Sequence, residues 1–120
     1  MAIRLIRFTR AEAQPIRLFE SAGAFSVPIA DGSGEAHAYA VHFEPGGLIG
    51  SHPAGFDQLF LVAQGSGWVS GSDGVRHPIG PGEGAFIPRG ETHSKGSDSG
   101  MLAVMLQASR YQLAELQQES

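Results

Sequence analysis

The chain has 120 residues, enough for one domain with its own core, and carries a formal net charge of −4. It contains no cysteine, which excludes disulfide frameworks and thiolate chemistry and restricts any metal site to nitrogen and oxygen ligands. No Lys/Arg cluster, apolar leader or bilayer-length apolar run interrupts the sequence, so a cytoplasmic protein without nucleic-acid or membrane partners is expected.

The 17 glycines and 7 prolines punctuate short apolar runs instead of forming a low-complexity tract, the pattern of a many-stranded β protein. In chain order, residues 3–8 read as a first strand, and 13–25 as an irregular arm with a strand around 16–19. Asp31-Gly32-Ser33-Gly34 reads as a turn by composition. From Ala36 to Phe43 apolar residues alternate, placing His37, Tyr39, Val41 and Phe43 on one inward face and His42 on the other. Leu59 to Val62 is a continuous apolar strand. Residues 65–70 and 75–79 are predicted to form a hairpin around Gly71-Ser72-Asp73-Gly74. Strands over 84–88 and 101–107 follow, and Ser109 with Gln112 three residues on predicts the start of a short helix. Strands at this spacing favour a closed or sandwiched antiparallel sheet over a βαβ arrangement.

Two segments carry more specific information. In the first, Pro45-Gly46-Gly47-Leu48-Ile49-Gly50-Ser51-His52-Pro53-Ala54-Gly55-Phe56-Asp57-Gln58, five residues separate Gly46 from His52, and six separate Gln58 from Gly65. The second, Gly82-Glu83-Gly84-Ala85-Phe86-Ile87-Pro88-Arg89-Gly90-Glu91-Thr92-His93, has five residues before Pro88, one before Gly90 and two before His93. Together, with a 16-residue stretch between them, they resemble the two conserved motifs of the cupin superfamily. The resemblance implies an all-β antiparallel barrel of jelly-roll type. We read it as a single domain, with an N-terminal arm over 1–35, a conserved barrel over 36–107 and a C-terminal helix over 108–120.

In that family a metal is usually held by two histidines and a glutamate of the first motif and one histidine of the second. His52 and His93 match the first and last of these, whereas Ala54 stands in place of the second histidine and Gln58 in place of the glutamate. An alanine offers no donor, and an amide oxygen carries no charge to offset a dication in a low-dielectric cavity. The resemblance therefore implies an atypical, weakened site at His52, Gln58 and His93 for zinc, iron, nickel or manganese. Asp57 is the nearest carboxylate, but parity turns it away from Gln58.

Tyr39, Phe60 and His37 are the candidate ligand-lining residues, with Phe43, Val62, Phe86, Met101 and Met105 assigned to core or interface. Glu83, Arg89 and Glu91 are read as solvated turn charges. The bland reading of His52 and His93, as core histidines bonded to each other or to Gln58, still marks a polar spot in an apolar cavity, the usual composition of a small-ligand site. The expected function is binding of a small organic molecule in the barrel, with no reaction assigned. Two alternatives stand beside it: a metal-dependent enzyme, an oxygenase above all, and a metal-free isomerase or epimerase with a histidine as general base. Trp68 and Phe86 on an outward face suggest a homodimer, as small cupins often form.

Overall fold

A computed structural model describes residues 2–118. Eleven strands, a 3-10 turn at Arg10–Glu12 and one α-helical turn make up the regular structure of the described residues. In chain order the strands and the α-helical turn are β1 (Arg4–Arg7), β2 (Gln14–Pro15), β3 (Phe25–Ser26), β4 (Ala30–Phe43), β5 (Gly47–Pro53) and β6 (Asp57–Gly65), then β7 (Gly67–Ser70), β8 (Arg76–Ile79), β9 (Glu83–Ile87), β10 (Thr92–Ser97), β11 (Met101–Leu113) and α1 (Glu115–Gln118). Five strands form one sheet in the order β1-β9-β6-β11-β4 and four form a second, β5-β10-β7-β8, with β2-β3 as a separate ribbon. All pairings are antiparallel. This is an antiparallel barrel of the jelly-roll type that the motif resemblance implies, its two sheets facing one another across a core.

The two-residue period decides which side chains enter that core. On β6, Phe60 and Val62 point inward to meet Phe43, Val69, Ile79, Ala85, Ile87, Met101 and Ala103. Leu59 and Leu61 point outward, into a second cluster with Ile6, Phe86 and Leu113. Phe86 is thus not a partner of Trp68 on an open face: the two lie on different sheets, and the N- and C-terminal segments already cover Phe86. Trp68 faces outward from β7, with the Arg76 guanidinium carbon 3.8 Å from its ring centroid.

Three local expectations are corrected. Residues 31–34 continue β4 and do not turn. Their glycines make room for neighbours: a Cβ on Gly32 would lie 2.8 Å from the Tyr111 ring, and Gly34 (φ +85) sits against Ser109 where the β11–β4 register shifts. The arm pairs through Gln14–Pro15 with Phe25–Ser26, not through 16–19; Phe19 and Glu20 take positive φ in the bend between them. Ser109 starts no helix, because the long ladder to β4 carries β11 on to Leu113 and leaves one turn at Glu115–Gln118. Within that turn, buried Gln117 donates to the carbonyls of Arg7 (2.9 Å) and Pro28 (3.2 Å) and accepts from the Arg7 N–H (3.2 Å), tying both ends of the chain together.

Candidate functional site

β10 supplies the centre of the site. Its alternation turns His93, Lys95 and Ser97 into the barrel, each only 1% exposed. On the neighbouring strand the register shifts: His93 pairs with His52, but Lys95 pairs with Ile49. Three residue steps on β5 thus oppose two on β10, a bulge that re-aims the strand so that Ile49 and His52 share one face. Strict alternation from Ile49 would have presented Ser51 instead.

The His52 and His93 rings meet at a centroid separation of 4.5 Å, tilted by 54°. His93 Nδ1 lies 3.1 Å from the Glu91 carbonyl. A carbonyl only accepts, so Nδ1 carries the proton and Nε2 keeps a lone pair. Among the described residues that Nε2 is the buried side-chain polar atom without a hydrogen-bond partner. His52, exposed at the rim, donates from Nδ1 to the Gly50 carbonyl at 2.8 Å. Burial pushes the His93 pKa down to about 4, opposed by the bond to the Glu91 carbonyl and reinforced by the nearby Lys95 ammonium. At neutral pH His93 is an uncharged acceptor.

Lys95 is the residue that reading the sequence missed. Its Nζ donates to Gln58 Oε1, lies 3.6 Å from Met105 Sδ and 4.7 Å from the Phe60 ring centroid. Burial lowers its pKa to about 8, so the amine is still mainly an ammonium at pH 7. Among the described residues no carboxylate forms an ion pair with it. The available signal was parity: two residues beyond His93 on one strand, a side chain must look the same way.

This arrangement does not fit a divalent cation. The Gln58 oxygen expected to be a ligand already accepts from Lys95, and Ala54, buried in the core, offers no donor. A protonated amine on the same inward face as His93 repels a metal ion. Among the described residues no three His, Asp or Glu side chains converge. His52 and His93 alone meet as the sequence reading required.

Of the other candidates, Phe60 borders this centre, whereas His37 and Tyr39 lie apart from it. Phe60 is fully buried and packs edge-on to Phe43 at 6.1 Å as well as against Lys95, joining core and site. His37 and Tyr39 lie on the face of β4 that carries Val41 and Phe43 inward, but at its exposed end, Tyr39 being 48% exposed. His37 Nε2 is 2.6 Å from Glu35 Oε2, and its ring meets Phe56 edge-on at 5.4 Å.

Glu91 is buried rather than solvated. Its carboxylate accepts from the Ser72 N–H at 3.1 Å, a bond that lowers its pKa, while its carbonyl orients His93.

Asp57, turned away from Gln58, accepts from the Arg89 N–H at 2.8 Å and the Tyr111 N–H at 3.0 Å. Burial, reinforced by this carboxylate, raises the Tyr111 pKa. Asp57→Ala leaves both amides without that acceptor and is expected to cost about 1–2 kcal/mol in urea unfolding; an unchanged midpoint would show that water replaces it.

A family model described as the AraC-like ligand binding domain matches residues 33–119. Among solved structures, the barrel is similar to a cupin 2 domain-containing protein from Halorhodospira halophila, at 15% identity and TM-score 0.64, covering 93% of this chain and 79% of that one. It is also similar to an RmlC-like cupin from Shewanella frigidimarina, at 22% identity and TM-score 0.58, with coverages of 63% and 68%. A third likeness is to the polyketide cyclase RemF from Streptomyces resistomycificus, at 26% identity and TM-score 0.56, with coverages of 68% and 59%. No curated protein matches the chain. No described helix is long and apolar enough to cross a membrane.

Proposed function

Because this chain belongs to the AraC-like ligand-binding domain family and is a small cupin, we propose that it holds a small organic molecule at the His52–His93 end of the barrel without needing a metal. The observation that carries this reading is the unpartnered, buried Nε2 of His93. A buried acceptor left without a donor costs about 1–3 kcal/mol, and an O–H or N–H group of a ligand removes that cost on binding. His52, 4.5 Å away and exposed, stands at the entrance. The likeness to a polyketide cyclase supports a ligand that bears oxygen functions.

The oxygenase alternative loses support from the donor set, in which Gln58 serves Lys95 instead of a metal. The isomerase alternative loses support from His93, whose pKa near 4 makes it a weak base at neutral pH. The homodimer expected from the sequence fits the open edge of the larger sheet, where residues 31–40 of β4 are exposed and a second copy would cover them.

A fragment screen read by NMR on the intact chain tests the binding. Hits bearing O–H or N–H groups are expected to shift the His93 ring resonances, and to lose at least tenfold in affinity in His93→Phe. Hits that bind equally well to His93→Phe, or a screen that never perturbs His93, would overturn the reading.

A further inference from the structure

A buried ammonium with no carboxylate beside it is an unfavourable arrangement. Taking a charge out of water carries a penalty that only a counter-charge or several good hydrogen bonds can offset. Lys95 is 1% exposed, and the contacts found around its Nζ are a neutral amide oxygen, a thioether and an aromatic face. None of these carries a full negative charge. The three ion pairs among the described residues, Arg7–Glu12, Arg7–Glu83 and His37–Glu35, do not include it. Lys95 lies on the same inward face as His93, two residues along β10, about 7 Å away along the strand. The interior thus holds one positive charge and, close by, one uncompensated lone pair.

We propose that Lys95 supplies from within the chain the positive charge that a metal would otherwise bring to this barrel, and that the ligand is a small carboxylate bearing a hydroxyl or amine N–H next to the acid group. The carboxylate pairs with Lys95 Nζ, and the adjacent O–H or N–H donates to His93 Nε2. Gln58, whose Oε1 accepts from Lys95, positions the ammonium; Phe60 and Met105 give it apolar walls that keep bulk water from screening the pair. A carboxylate one carbon from a hydroxyl satisfies both groups with a single compact molecule. This inference rests on the small-molecule reading above and narrows it to an anionic ligand class.

The test uses glycolate, lactate and mandelate as probes, each beside its deoxy partner (acetate, propionate, phenylacetate) and its neutral amide. Binding to the intact chain is followed by protein NMR and calorimetry. At least one hydroxy acid is expected to bind in the millimolar range or better, tenfold or more above its amide and several-fold above its deoxy partner. Lys95→Met is expected to abolish the preference for acid over amide. His93→Phe is expected to abolish the preference for hydroxy acid over deoxy acid while leaving the acid preference in place. The comparison of acid with amide needs no variant, so it decides even if a substitution disturbs the fold.

Amides that bind as tightly as their acids, or hydroxy-acid binding unchanged in Lys95→Met, would overturn the role of Lys95. So would failure of every acid to bind at high millimolar concentration. If neutral fragments still bind at His93 in that last case, the small-molecule reading survives and the anionic class alone is lost. If nothing perturbs His93, both fall together.

Discussion

Lys95→Met is expected to give a protein more stable than the parent at pH 7. Methionine keeps much of the length of the side chain and discards a charge that the fold buries without a counter-ion. Burial moves the Lys95 pKa from 10.5 to about 8, a penalty on the charged form on the order of 3 kcal/mol. Removing the ammonium also removes the donor to Gln58 Oε1, which returns about 1 kcal/mol. The net gain is on the order of 2 kcal/mol, and the melting temperature should rise by about 5 °C or more.

The pH dependence gives the sign independently. In the folded chain Lys95 releases its proton near pH 8, but in the unfolded chain only near 10.5. Between those values the unfolded state binds more protons, so the parent gains stability as pH rises through that window. The methionine variant lacks this contribution. Its advantage is therefore largest below pH 8 and closes by about pH 10.5. Denaturant midpoints of both proteins across this range check the claim, and a variant less stable than the parent at pH 7 would refute it. A residue that weakens the fold from its centre fits a functional part better than a structural one.

The second large effect concerns metal. Ala54→His with Gln58→Glu supplies the two donors that the motif resemblance finds missing. In the presence of Lys95, however, the carboxylate introduced at position 58 would be captured by the ammonium that now holds Gln58. A dication brought within about 5 Å of that ammonium would also face several kcal/mol of repulsion at an effective dielectric near 20. The double variant is therefore expected to gain less than tenfold in zinc affinity over the parent. Adding Lys95→Met frees the carboxylate and removes the repulsion, and a further gain of a hundredfold or more should follow, measured by competition with a zinc-sensitive dye. Tight zinc binding by the double variant alone would show that Lys95 does not bar the metal. No gain in the triple variant would mean that positions 52, 54, 58 and 93 do not surround one point.

How much of this could be read from residues alone varies with the range of the interaction. Strand existence was legible from the alternation over 36–43 and from the continuous apolar run of β6, where Gln58, Phe60 and Val62 turn inward and Asp57 turns away. The meeting of His52 and His93 was legible through motif spacing. Composition misled at 31–34, since glycines that suit a turn also suit a strand pressed against Tyr111 and Ser109. It misled again at Ser109, where a local helix-capping signal was overruled by the strand ladder running between β11 and β4.

By itself the sequence determined an antiparallel all-β class, which follows from local periodicity and turn residues, while the resemblance of its two motifs implied the barrel and a ligand set from which two donors are missing, because Ala54 and Gln58 do not carry the atoms that set needs. The tertiary structure decided the chemistry of the barrel interior. Only pairing across strands shows that a bulge brings His52 to His93, that the lone pair of His93 has no donor among the described residues, and that Lys95 donates to Gln58. Such facts depend on which groups from distant segments share one volume without water, and that information is created when the sheets close.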